Sequence, residues 1–227
     1  MKALKIILSW TTVLLLIVSA IWYSWLTITG DILPVTTTFI LAFIYFAISE
    51  ATYWAKTKKE EIRTGKKTSI WNNIAMHAGF ANVIVATLVV VGVKVWNGNF
   101  IDDFNTFQYT CLILSAVVLI AWKLTKSAEL GFLLIQGVAV IAYIPMFQRV
   151  LVTETQTESN VMWIAILFAS MTAIPRAVEG YRKNKDWMSV AYVARAILRG
   201  PIVEGGFARV LIFALMNVAG QAYSFAG

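Results

Sequence analysis

Charge is the scarcest commodity in this 227-residue chain. Only 14% of its residues are Asp, Glu, Lys or Arg, against about 25% in a typical soluble domain. That shortage, with 59% hydrophobic residues and a mean hydropathy of +0.73, points to a lipid environment and not to a large water-soluble core. Cysteine is almost missing: Cys111 stands alone, so an intrachain disulfide is excluded. Histidine is limited to His77, which argues against a multi-histidine metal site. No Asn-x-Ser/Thr acceptor occurs. His-Glu-x-x-His and Gly-x-Ser-x-Gly are both missing, which removes the familiar signatures of a zinc protease and a serine hydrolase. There is no run of paired aspartates suited to Mg²⁺, and no lysine in the last apolar segments for a retinal Schiff base. An enzyme is therefore not expected, and neither a cofactor nor a metal is implied.

What the chain does have is six long apolar runs separated by short polar loops. They cover about Lys5 to Thr29, Val35 to Trp54, Ile70 to Val95, Phe107 to Trp122, Leu130 to Phe147 and Val161 to Val178. Runs of this length suit a ~30 Å hydrocarbon core at 1.5 Å rise per residue. They must be helices, because an isolated strand cannot satisfy its backbone in lipid. The first run follows Lys2 and Lys5 and so resembles a signal peptide. It continues through Trp22, Tyr23 and Trp25, where small residues would be needed for cleavage, and it is read as a retained helix.

The basic residues set the orientation. With the N-terminus in the cytoplasm, the inside holds Lys2, Lys5, Lys56, Lys58, Lys59, Arg63, Lys66, Lys67, Lys123, Lys126, Arg176, Arg182, Lys183 and Lys185. The outside loops hold only Lys94 and Arg149. That asymmetry obeys the positive-inside rule. It also accounts for the net charge of +7 without nucleic acid: the charges flank membrane spans, where they set topology and meet anionic lipid. Trp22, Trp25, Trp54, Trp71, Trp96, Trp122, Trp163 and Trp187 lie near span ends, as an interfacial aromatic belt requires.

After Trp187 the pattern is less regular. Ser189, Tyr192, Arg195 and Arg199 share one side of a helix. Gly200-Pro201 then breaks it, and a second apolar stretch runs from Phe207 to Tyr223. Either Trp187 to Val203 is a seventh span followed by a short or surface helix, or Trp187 to Arg199 lies in the interface and the last stretch is the seventh span. The fold class is thus an all-α, polytopic integral membrane protein with about seven transmembrane helices, lodged in a cell membrane.

Ionisable and amide side chains inside a bilayer are costly and mark candidate functional positions. Glu50, His77 and Gln136 fall at similar depth in the second, third and fifth spans, with Arg195 a comparable distance into the C-terminal helix. Asn73 lies one turn from His77 on the same face. Glu50 and Arg195 are expected to form a gating pair. Asn73, His77 and Gln136 are expected to line a site, with Tyr143 and Pro145 at a lining or hinge position. Pro175 is read as ending the sixth span beside Arg176.

The string Tyr143-Ile144-Pro145-Met146-Phe147-Gln148-Arg149, followed by Thr157-Glu158-Ser159 and Trp163, resembles part of a repeat of the PQ-loop superfamily. That superfamily includes the SWEET sugar transporters, their half-sized bacterial relatives and related vitamin carriers. Met146 stands where the motif has glutamine. The resemblance covers about Leu130 to Leu198. It implies two triple-helix bundles joined by a linker helix, here 1–100, 101–127 and 128–227, and facilitated transport of a small polar solute by rocking about helix prolines. The expected partners are the lipid bilayer and a small-molecule substrate, with a homo-oligomer also compatible. The second reading is a non-transporting sensor, scaffold or subunit of a membrane complex.

The charge asymmetry yields a direct expectation. Alkaline phosphatase fused after Lys67 should be inactive in intact cells, and the same reporter fused after Gly98 should be active. The reverse pattern would overturn the assigned orientation.

Overall fold

The computed structural model describes residues 2–32, 34–65, 67, 69–98, 106–142 and 159–202. These residues form seven α-helices and one 3-10 turn, with no strand among them. The helices are α1 (Lys2–Thr29), α2 (Thr36–Thr64), α3 (Ile74–Trp96), α4 (Thr106–Thr125), α5 (Ala128–Ala142), α6 (Asn160–Asn184) and α7 (Trp187–Ile202). The 3-10 turn, Ile70–Asn73, leads into α3. Four helices, α1 to α4, are long and apolar enough to cross a membrane.

The side-chain arrangement of α1 agrees with a lipid setting. Ser9, Thr12, Leu16, Ser19, Tyr23 and Thr27 are buried, whereas Ile7, Trp10, Leu14, Ile21, Trp25 and Ile28 are exposed. Both sets recur every three or four residues, so the helix has one face of small or hydroxyl-bearing groups turned inward and one bulky apolar face turned outward. A water-soluble helix would reverse that preference. Small and polar groups inside allow close approach and interhelical hydrogen bonds.

Those bonds are present. The Thr12 and Thr172 hydroxyls lie 2.9 Å apart, Arg176 Nε donates to Ser9 Oγ at 3.0 Å, and Asn82 Nδ2 donates to Ser19 Oγ at 3.2 Å. They join α1 to α6 and α3, its main neighbours; α2 lies against α3 and α5, and α6 against α7. Helices from both halves of the chain therefore interleave. Gly79 permits one close approach: a Cβ there would lie 2.6 Å from Tyr192 Oη.

Three boundaries differ from those expected. The polar segment after Trp54 is helical to Thr64, not a loop from Lys56. Its Lys and Glu residues are good helix formers, and Arg63 pairs with Glu60 at 2.6 Å. The helix ends where Gly65 adopts φ +67, the left-handed geometry of a C-cap. Pro175 does not end the sixth helix. It sits inside α6, which continues to Asn184. Past it, Glu179 binds Lys183 at 2.6 Å within the same helix, and such i,i+4 pairs support a helix whose proline has cost it one backbone bond. The third span begins with the 3-10 turn, capped by Ser69.

Glu179 lies beyond the apolar part of α6 and gathers charge from two helices. Lys183 and Lys5 of α1 hydrogen-bond its carboxylate, which lowers its pKa from 4.5 to about 2. A depressed carboxylate stabilises the fold in full above the unfolded value of 4.5 and loses that contribution as pH falls toward about 2. Glu179→Gln should therefore lower the thermal midpoint at neutral pH, with the gap from wild type closing across that acid window. A gap that is constant with pH would rule out the linkage.

Candidate functional site

The polar residues of the interior are ordered along α2. Starting from its lysine-rich end, Lys56 pairs with Glu129 of α5 at 2.9 Å. Its ammonium also lies 5.4 Å from the Trp187 ring centroid. Glu129 is lowered below the usual carboxylate range, first by its hydrogen bond with Lys56. One turn deeper, Tyr53 donates its hydroxyl to Asp186 at 3.0 Å. Asp186 also takes the Ser189 hydroxyl, which fixes the start of α7.

The next turn holds Ser49 and Glu50. Gln136 Nε2 donates to Ser49 Oγ at 3.0 Å. Glu50 faces His77 of α3, whose Nδ1 lies 2.8 Å from Oε1 and 3.1 Å from Oε2. Both side chains are shielded, and the imidazole also lies 5.6 Å from the Tyr53 and Trp54 rings. With Nδ1 donating to the carboxylate, Nε2 is an acceptor in the neutral ring and a donor in the imidazolium. That nitrogen is buried and has no hydrogen-bond partner among the described residues. The pair ties α2 to α3 across the interior.

A further turn along α2 come Tyr45 and Phe46, and here Arg195 enters from α7. Its guanidinium carbon lies 4.9 Å from the Tyr192 ring centroid, 5.6 Å from that of Tyr45 and 5.7 Å from that of Phe46. The residue is 8% exposed, and its Nε and Nη1 have no hydrogen-bond partner among the described residues. Each desolvated cation–π contact contributes about 0.5–2 kcal/mol. The effective penalty for burying an ion is several kcal/mol, so the rings offset a large share of it while leaving the charge itself uncancelled.

Arg195 borders a partly open cavity of about 80 Å³ between α1, α2, α3, α6 and α7. Thr38, Asn82, Ser170 and Tyr192 contribute polar groups to the lining, and Leu16, Ala42 and Ala86 are among its apolar walls. Pockets for drug-sized ligands are about 300–1,000 Å³. This chamber has room for a few waters or a very small solute.

The expected site residues are thus only partly brought together. Glu50 does not pair with Arg195. Its carboxylate is directed to His77, and Arg195 sits one turn deeper among aromatic rings. His77 and Gln136 do not line the cavity; they bond to α2 at its neighbouring level. Asn73 is buried beside Met76, with Nδ2 3.5 Å from the sulfur, and its Oδ1 has no hydrogen-bond partner among the described residues. Tyr143 and Pro145 lie outside the described residues. Ser189, Tyr192 and Arg195 do share one side of α7, and that side faces the bundle. Sequence reading did not single out Tyr45, Phe46, Asn82 or Ser170 for the site. The only signal for Asn82 and Ser170 was polarity within apolar runs.

Comparison with protein-family models, with curated proteins and with solved structures gave no match.

A double-mutant cycle tests the inner pair. His77→Ala strips the Glu50 carboxyl of its partner and should cost about 1–3 kcal/mol. Glu50→Gln/His77→Ala should cost clearly less than the sum of the single changes, as coupled neighbours do. Thermal or denaturant unfolding in detergent reads both quantities, and strict additivity would mean that the pair carries no coupling.

Proposed function

We propose that this protein is a membrane carrier for a small polar solute, with the Arg195 cavity as its binding chamber in a closed state. The observation that carries the proposal is a buried guanidinium bordering a cavity between five helices. An ionisable residue held within a helical membrane protein is costly, and such residues concentrate along solute pathways. The chamber is apolar apart from a few polar groups, which is the usual composition of a ligand site. The lysine-rich end of the bundle is cytoplasmic in this reading. The PQ-loop-like string at Tyr143 to Arg149 lies outside the described residues and bears on this reading only as a sequence resemblance.

A second reading, a non-transporting sensor or subunit, draws on a different observation. Glu50 with His77 and Gln136 with Ser49 tie α2 to α3 and to α5, and the cavity is small.

Flux separates the two. Purified protein reconstituted in liposomes should raise the permeability to at least one small solute in a panel of neutral and charged compounds, read by osmotic shrinkage and recovery. Ala86→Leu, which places extra volume in the chamber, should return that flux to the level of empty liposomes. Background rates for every solute with folded protein would favour the second reading.

A further inference from the structure

We infer that the chamber binds a small monovalent anion, with Arg195 as its counter-charge. The inference rests on reading the cavity as a ligand chamber, and it names the chemical class of the ligand.

Arg195 is permanently charged, since guanidinium does not lose its proton in proteins. It is more than nine-tenths buried, and among the described residues no acidic group lines the cavity beside it. The described acids of this part of the bundle are committed elsewhere. Glu50 takes His77, Asp186 takes Tyr53 and Ser189, Glu129 takes Lys56, and Glu179 takes Lys5 and Lys183. Among the described residues, then, the guanidinium has three ring faces and no anion. Ring quadrupoles lower the cost of the charge without neutralising it.

The lining restricts what can complete it. Asn82 spends one amide hydrogen on Ser19 and retains a second. Ser170 gives its hydroxyl hydrogen to the Ile166 carbonyl at 2.8 Å, so its oxygen offers no further donor. The remaining walls are mostly aliphatic and aromatic. A multivalent, strongly hydrated anion would lose its water shell against these walls with one cation to compensate. A cation would face Arg195 directly. The volume, about 80 Å³, suits an ion of the size of chloride, nitrate or formate better than gluconate.

Binding can be read apart from transport. The thermal midpoint of the protein in detergent would be followed as sodium gluconate is replaced by sodium chloride, nitrate or formate at constant ionic strength. At least one of the three should raise the midpoint saturably by roughly 2–4 °C, as a ligand of the native state does. Arg195→Gln should abolish the shift, and in gluconate it should be at least as stable as wild type, because an uncompensated buried charge has gone. Ala86→Leu should also abolish it while keeping all the ionic contacts, and it carries the test if Arg195→Gln does not fold. No shift with any of the three anions, or an equal shift in wild type and the variants, would overturn the inference. An Arg195-dependent shift without flux would sustain it and refute the carrier; flux of an uncharged solute without any shift would do the reverse.

Discussion

A guanidinium inside an apolar helix bundle cannot shed its proton and loses most of its contact with water, so its surroundings must be built around it. Here the surroundings are three aromatic rings from α2 and α7. Their positions govern much else. The Tyr192 hydroxyl passes over Gly79, where a Cβ would lie 2.6 Å from it. Tyr45 and Phe46 fix the azimuth of α2, and that azimuth determines which side chains of the next turns face α3 and α5.

The rest of the bundle follows the economy of a membrane interior. Hydrophobic burial does little to hold helices together when lipid is as apolar as leucine. Cohesion falls to close packing and to hydrogen bonds between helices. The inward stripe of α1 shows both. Ser9, Thr12 and Ser19 are small enough to let α3 and α6 approach, and each has a hydroxyl that meets a partner there. At the lysine-rich end the contacts change to ion pairs, as polar headgroup surroundings permit.

Much of the helical layout was legible in the sequence, because a bilayer imposes a length on any helix that crosses it. The runs ending at Thr29 and Val95 and the run around Cys111 correspond closely to α1, α3 and α4. Errors arose where charge was taken to mean loop. Lys56 to Arg63 is charged and helical, since lysine and glutamate favour helix once they are free of lipid. Pro175 reads as an end because proline removes one backbone bond, yet the ion pairs beyond it support the continuing turn. Side-chain partners were much harder to foresee. Residues that differ by one position point 100° apart on a helix, so Glu50 could face either His77 or Arg195 until the helix azimuths were known. The shared depth of Glu50, His77 and Gln136 could be counted from the sequence. The enclosure of Arg195 by rings and the place of Asn82 and Ser170 in the cavity wall depend on five helices meeting, and no local pattern encodes that.

One helix carries the whole series. Along α2 the rings against Arg195, the hydroxyl bound by Gln136, the carboxylate on His77, the phenol on Asp186 and the ammonium on Glu129 follow at intervals of one to four residues. A helix is stiff along its axis, so these contacts behave as teeth on a single shaft. Turning the shaft by one residue would disengage all of them together, and no tooth can slip while its neighbours stay meshed. The interior is therefore held in one register, and the spacing of α2 defines it.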